Sequence, residues 1–168
     1  MNKKYIWILW VVFAIYAILL LYVTLWNRHT GFADMTVAEY AARSVNLKPF
    51  KTIGIYIKWL FDGNRFNNYI PVTNLGVNLI LLFPMGFFLP NLFKWFKNFF
   101  AYLGINIILL ALIETIQLLT RRGSFDVDDF ILNIFGAIIG FIAWKLTVFL
   151  IKKIGDSKNI KNKNKKRQ

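Results

Sequence analysis

Residues 5–26 read YIWILWVVFAIYAILLLYVTLW and contain no charged side chain. As an α-helix this segment would measure about 33 Å, which is enough to cross the apolar core of a bilayer. Lys3 and Lys4 precede it, as they would precede a secretory signal peptide. However, the segment is longer than a typical signal core, and no small-residue cleavage site follows it. Residues 5–26 therefore predict an uncleaved transmembrane helix.

Three further apolar segments, each followed by basic residues, predict three more spans. The four predicted spans cover residues 5–26, 70–93, 98–120 and 128–151. The composition agrees, because 57% of the residues are hydrophobic, whereas soluble domains average about 45–50%. Cysteine is absent and there is one histidine, so no disulfide and no Cys- or His-based metal site is predicted. The sequence predicts an all-α integral membrane protein, a bundle of four transmembrane helices.

The basic residues predict the orientation of this bundle. With both termini in the cytoplasm, twelve Lys and Arg would lie inside and eight outside. Six of those eight belong to the loop 27–69, and charges in long loops have little influence on orientation. We therefore expect a multi-pass protein with both termini cytoplasmic. Residues 1–151 would form the membrane domain and residues 152–168 a basic tail that binds anionic lipid rather than nucleic acid.

The outer loop 27–69 contains an apolar segment of ambiguous periodicity. Helical spacing joins Phe50, Ile53, Ile57 and Leu60, whereas strict alternation joins Ile53, Ile55, Ile57, Trp59 and Phe61. Periodicity alone does not distinguish the two. A lone strand beside a bilayer would leave its backbone groups without partners. We therefore expect a short interfacial or re-entrant helix that begins near Pro49.

Polar residues occur inside the last three spans, where lipid should exclude them. They are Asn74, Asn78, Asn106, Glu114, Gln117, Asp129 and Asn133. On a helix, Glu114, Gln117 and Arg121 share one face. A charge near the centre of a span costs about 2.5–3.5 kcal/mol on insertion scales. Glu114 therefore needs a proton, water, or a partner such as Arg121 or Arg122, and a functional role is equally compatible with the sequence.

In the predicted orientation these polar side chains, apart from Asn106 in the inner half of its span, lie at one depth and form a recess that opens to the extracytoplasmic side. The predicted ligand-binding residues are Asn74, Asn78, Glu114, Gln117, Arg121, Arg122, Asp126, Asp128, Asp129 and Asn133. Some of them also have structural interpretations. Asp126 and Asp129 suit the N-terminal cap of a helix. Gly136-x-x-x-Gly140 would pack either two monomers or two helices of one chain.

The same segments resemble a known family. They are NLKPFKTI at 46–53, Asn74-x-x-x-Asn78 with Phe83-Pro84-Met85-Gly86, Glu114-x-x-Gln117, and Arg122-x-x-Phe125-Asp126-x-Asp128-Asp129 with Asn133-x-x-Gly136. In this order they resemble the VanZ-like family of bacterial membrane proteins, although Lys48 replaces the apolar residue expected before the Pro-Phe pair. The family's named member is associated with resistance to the glycopeptide teicoplanin. The resemblance implies a role in the bacterial cell envelope linked to antibiotic resistance.

Within that role, we expect a binding or shielding protein rather than an enzyme. Arg121 and Arg122 would hold phosphate groups of a lipid-linked cell-wall precursor. The Asp cluster would orient these arginines or hold a divalent cation, the one cofactor that the sequence suggests. The alternative is an intramembrane enzyme that modifies an envelope lipid with Glu114 as acid or base. The sequence leaves the identity of the ligand and the oligomeric state open.

Overall fold

The computed structural model describes residues 6–26, 35–61 and 69–165, with side chains described as far as residue 157. These residues form helices α1 (Ile6–Leu21), α2 (Val37–Ser44), α3 (Lys51–Phe61), α4 (Tyr69–Leu81), α5 (Met85–Leu92), α6 (Phe99–Leu119) and α7 (Val127–Lys165). Two short strands are β1 (Val45–Asn46) and β2 (Phe125–Asp126). A π-helical turn, Tyr22–Trp26, extends α1, and a 3-10 turn, Lys94–Lys97, joins α5 to α6.

Four segments of the described chain are long and apolar enough to cross a membrane. They are Ile6–Leu25, Tyr69–Leu92, Phe99–Leu119 and Val127–Ser157. The predicted all-α bundle of four membrane helices is confirmed, and residues 51–61 are helical as expected. The last helix continues to Lys165, past the predicted end of its span at residue 151. We call the end of the bundle where α6 ends and α7 begins the loop end, and the opposite end the tail end.

Two glycines allow α7 to pack directly against the backbones of α4 and α5. A Cβ atom on Gly136 would lie 1.8 Å from the carbonyl oxygen of Leu79, and one on Gly140 would lie 2.1 Å from that of Phe83. No side chain fits within such distances, so only glycine permits this approach. The Gly136-x-x-x-Gly140 pair therefore packs helices of the same chain, which is one of the two interpretations left open by the sequence.

Pro84 interrupts the second span between α4 and α5. Near this break, the N–H of Met85 bonds to the carbonyl of Leu82 (3.1 Å) instead of that of Leu81. Proline lacks an N–H and disturbs the helical ladder around it. The Leu81 carbonyl instead accepts a hydrogen bond from the hydroxyl of Tyr16 on α1 (2.6 Å). The interruption thus provides a docking point for the first span.

A buried tyrosine fixes the register between α6 and α7, which run in opposite directions. The Tyr102 hydroxyl donates to the carbonyl of Ala137 (2.8 Å), and its ring stacks on Phe141 at a centroid distance of 4.8 Å. Glu114 follows Tyr102 by twelve residues, or about 18 Å of helix toward the loop end. By this register, Glu114 lies at the level where α7 begins.

Candidate functional site

Asp128 holds the start of α3 against the start of α7. Its carboxylate accepts hydrogen bonds from the backbone N–H groups of Phe50 (2.5 Å), Thr52 (2.7 Å) and Ile53 (3.0 Å). These N–H groups lie at a helix N-terminus, where they lack intrahelical acceptors and carry partial positive charge. The Asp128 side chain is only 1% exposed. The carboxylate therefore connects a segment of the outer loop to the fourth span.

Asp126 strengthens the same connection and caps its own helix. Its carboxylate accepts hydrogen bonds from the Asn46 amide (3.2 and 3.3 Å) and the Thr52 hydroxyl (2.6 Å). It also accepts the backbone N–H of Asp128 (2.9 Å), which makes Asp126 the N-cap of α7, the structural interpretation given to it from the sequence. Beside these bonds, Val45 and Asn46 pair in parallel with Phe125 and Asp126. We call residues 45–53 together with residues 125–128 the loop clasp.

The clasp involves two of the three carboxylates that the sequence suggested for a divalent cation, those of Asp126 and Asp128 but not that of Asp129. Each oxygen of Asp126 and Asp128 accepts at least one N–H or O–H hydrogen bond. In the part of the chain that the structure describes, no group of three or more His, Cys, Asp or Glu side chains could hold a metal ion. In this structure the carboxylates of Asp126 and Asp128 thus hold the clasp together.

A second group of polar residues joins α4 to α7 one turn further into the bundle. The Asn78 amide donates to the carboxylate of Asp129, and the Asn133 amide donates to the Asn78 side-chain oxygen (3.3 Å) and to the Asp129 carbonyl (2.8 Å). Asn133 is 2% exposed, and its Oδ1 has no hydrogen-bond donor among the described residues. A buried acceptor left in this way costs about 1–3 kcal/mol. We call Asn78, Asp129 and Asn133 the polar triad.

The buried face of α6 carries two more of the predicted residues, Glu114 (5% exposed) and Gln117 (2% exposed). The Gln117 amide donates to the carbonyl of Thr24 in the π-helical end of α1 (2.6 Å). Its Oε1 is a further buried acceptor without a donor in the described residues. The predicted polar face of α6 is therefore buried, but Gln117 is directed toward α1, whereas the triad lies between α4 and α7.

Arg121 and Arg122 follow α6 at the loop end. Arg121 has left-handed backbone geometry (φ 55°), and its guanidinium donates to the carbonyl of Met35. Arg122 donates its backbone N–H to the backbone carbonyl of Gln117 (2.9 Å) and a guanidinium N–H to the carbonyl of Leu25 (3.5 Å). This turn places two positive charges beside the end of α1 and the start of the loop helices.

The structure differs from the predicted site at a few other residues. Asn74 donates to the Ile70 carbonyl of its own helix (3.2 Å), so the structure does not place its amide in the triad. Asn46 and Thr52 belong to a segment that carried the family resemblance, but the sequence assigned them no role. Tyr40 was not singled out at all, although its buried hydroxyl donates to the carbonyl of Gly123 (3.0 Å) and attaches α2 to the turn before β2. A single tyrosine in a polar loop carries no sequence signal for such a contact.

An apolar cavity of about 260 Å³ lies between α1, α5 and α6. Its lining includes Ala17, Leu20, Met85, Leu89 and Ile105. The lining on α1 extends from Phe13 to Leu21, and Asn106 of α6 also lines the cavity. Tyr16 stacks on Phe88 of α5 beside the cavity, and Thr24 binds Gln117 nearer the loop end. The first span is thus attached to its neighbours at two levels beside this cavity.

These features define an α-helical multi-span membrane protein with buried polar side chains concentrated at one end of its bundle. The model of the VanZ/LLP1 family matches residues 13–150. The match contains the second and third spans whole and most of the first and fourth, and the chain belongs to this family. No curated protein and no solved structure matches the chain.

Proposed function

We propose that this VanZ/LLP1 protein binds or shields a lipid-linked cell-wall precursor of a bacterial envelope at the loop end of its bundle, and that this underlies a link to teicoplanin-type resistance. The observation that supports it best is the set of buried acceptors at that end. The oxygens Asn133 Oδ1 and Gln117 Oε1 have no donor among the described residues, and both residues lie in the halves of their spans that are nearer the loop end. Hydroxyl and amide groups of a sugar or peptide would supply the matching donors.

Two other features support a ligand that carries a phosphate and a hydrocarbon chain. Arg121 and Arg122 place positive charge at the same end as the buried acceptors, and guanidinium groups suit phosphate oxygens. The cavity between α1, α5 and α6 offers space for a chain. Lipid tails are as apolar as the helices, so a chain gains only packing contacts there. The polar groups of the ligand would therefore determine its affinity.

The proposal includes the orientation of the bundle. We place the loop end on the extracytoplasmic side and both termini in the cytoplasm, because basic residues concentrate at the tail end. With this orientation the polar triad opens toward the outer leaflet, where a shielded precursor would be protected from an antibiotic that acts outside the cell. Labelling of single-cysteine variants in intact cells with an impermeant thiol reagent tests this placement, because the chain has no native cysteine.

The binding proposal is tested by replacing each buried acceptor with an apolar side chain of similar size. Asn133→Leu and Gln117→Leu should each weaken binding of a labelled lipid-linked precursor in nanodiscs about three- to ten-fold, which corresponds to one lost hydrogen bond. Asn91→Leu is the control. Asn91 is half-buried near the end of α5, at the tail end of the bundle. Its amide already has partners, because it donates to the Phe87 carbonyl of its own helix (2.8 Å) and accepts the indole N–H of Trp144 (3.4 Å). An equal loss in the control, or unchanged binding in both variants, would contradict the proposal.

A second function is favoured by one observation, the burial of the Glu114 carboxyl group in a membrane helix. An intramembrane enzyme acting on an envelope lipid would use such a group as general acid or base. Incubating the precursor with the parent protein and with Glu114→Gln, and then measuring its mass, distinguishes the two functions. A mass change that requires Glu114 supports the enzyme. An unchanged mass with retained binding supports the binding protein.

A further inference from the structure

Five consecutive residues of the loop clasp, LKPFK at 47–51, are exposed although the residues on both sides of them are held firmly. Leu47 is 65% exposed and Phe50 is 66% exposed. Lys48 and Lys51 stand beside these two apolar side chains and are exposed as well. We call residues 47–51 the wedge. Exposed apolar side chains that are grouped in this way usually mark a surface that contacts a partner.

The wedge is preorganised by the carboxylates beneath it. At its two ends, the side chains of Asn46 and Thr52 bond to each other (3.1 Å) and to Asp126. Within it, the N–H of Lys48 bonds to Asn46 Oδ1 (3.4 Å), and the N–H of Lys51 bonds to the carbonyl of Lys48 (3.4 Å). A loop that is already ordered loses less conformational entropy when it binds.

Phe50 is held in a backbone conformation that residues with bulky side chains disfavour. Its φ angle is 62°, a left-handed conformation that bulky side chains rarely adopt. The Asp128 carboxylate maintains it by accepting the Phe50 N–H (2.5 Å). The result is an aromatic side chain directed away from the protein, and backbone strain of this kind is concentrated at functional positions.

We infer that the wedge binds the leaflet that surrounds the loop end, with Leu47 and Phe50 inserted at its apolar boundary and Lys48 and Lys51 bound to the phosphates of anionic phospholipids. The position supports this partner, because the clasp ties the wedge to the start of α7, where the fourth span leaves the bilayer. The chemistry supports it also: aromatic and aliphatic side chains suit the interface, while lysines extend toward headgroups. This inference does not depend on the identity of the ligand in the polar site.

The absence of native cysteine allows one fluorescent reporter to be placed in the wedge of the full-length chain. Leu47→Cys is labelled with bimane and the protein is reconstituted in phosphatidylcholine nanodiscs. The nanodiscs contain equal small fractions of either nitroxide-labelled phosphatidylglycerol or nitroxide-labelled phosphatidylcholine. We expect stronger quenching by the phosphatidylglycerol. Lys48→Ser or Lys51→Ser should each lower this preference about five-fold at low salt, equivalent to about 1 kcal/mol per lysine.

Matched controls lie on α3 outside the wedge. Lys58→Ser removes another exposed lysine and should leave the preference unchanged. Phe50→Ser should reduce quenching by both nitroxide lipids, whereas Phe61→Ser, which removes an exposed aromatic ring at the other end of α3, should not. Equal quenching by the two lipids, or the same loss in Lys58→Ser, would overturn the inference. Quenching by aqueous iodide alone would also overturn the inference, because the wedge would then face water. Protection from iodide and from both nitroxide lipids would overturn it as well, because the wedge would then be covered by a protein partner.

Discussion

Replacing Gly136 by Ala tests whether the close approach of α4 and α7 is what assembles the polar triad. The added Cβ would lie 1.8 Å from the Leu79 carbonyl oxygen and 2.8 Å from the carbonyl carbon. Both atoms belong to a helix backbone, which cannot turn aside as a flexible side chain can. The two helices would have to separate by roughly 1.5 Å to restore normal contact.

The expected cost combines three terms. Overpacking of this kind costs about 1–3 kcal/mol, and the rigid backbone contact places this case in the upper part of the range. Separation also weakens the hydrogen bond between Asn133 and Asn78, one turn away, which contributes about 1 kcal/mol. The higher helix propensity of Ala offsets about 1 kcal/mol. The net loss in the free energy of unfolding should therefore be about 2–3 kcal/mol.

Reversible unfolding in mixed detergent micelles, followed by tryptophan fluorescence, measures this loss. Gly104→Ala on α6 is the matched control, because its Cβ would meet no atom within 4 Å. In the control only the propensity term remains, so its stability should rise by up to about 1 kcal/mol. The reasoning is refuted by a Gly136→Ala variant as stable as the parent protein, or by an equal loss in Gly104→Ala.

Three further predictions concern single contacts. Asp128→Ala should lower the free energy of unfolding by about 3 kcal/mol and speed hydrogen exchange at the backbone amides that Asp128 binds, while the amides of α6 stay protected. Unchanged exchange at those loop amides would contradict the role of the clasp. The pKa of Glu39 is lowered by hydrogen bonds from the backbone N–H and then the hydroxyl of Thr36. The cap of α2 is thus intact at neutral pH and weakens as the pH falls through that lowered pKa, and Thr36→Ala, which keeps the backbone donor, should raise the pKa part of the way in an NMR titration. Tyr102→Phe removes the hydroxyl that binds Ala137 and should destabilise the bundle by about 1 kcal/mol in the micelle assay; equal stability would contradict it.

The features that depend on neighbouring residues in the chain could be predicted from the sequence. A span is recognised by the length of an apolar segment, so all four were found; the ends of the first three were predicted to within one residue, whereas the fourth was predicted to end six residues too early. The capping role of Asp126 was also accessible, because a cap binds an N–H group two residues away. For Gly136 and Gly140 the sequence indicated a close contact but not its partner, because spacing on one helix does not show which helix lies against it.

Other features depend on backbone atoms that are far away in the sequence, and no sequence pattern indicates them. Asp128 binds N–H groups more than seventy residues earlier, and every residue except proline has such a group. The amide of Gln117 is directed toward α1 because the Thr24 carbonyl lies in a π-helical turn there. Periodicity does not reveal such a turn. The pairing of Val45 with Phe125 involves strands of two residues, too short to show alternation.

This distinction changes which substitutions can test the proposed binding site. Variants of Asp126 or Asp128 would release the loop clasp, so a loss of precursor binding in them would follow from disorder at the loop end even if neither residue met a ligand. Asn133 and Gln117 are better placed, because neither takes part in the clasp and each has a buried oxygen that the described residues leave without a donor. If their leucine variants retain the clasp, as slow exchange at the Thr52 amide would show, and still lose binding, the loss can be assigned to contact with the ligand.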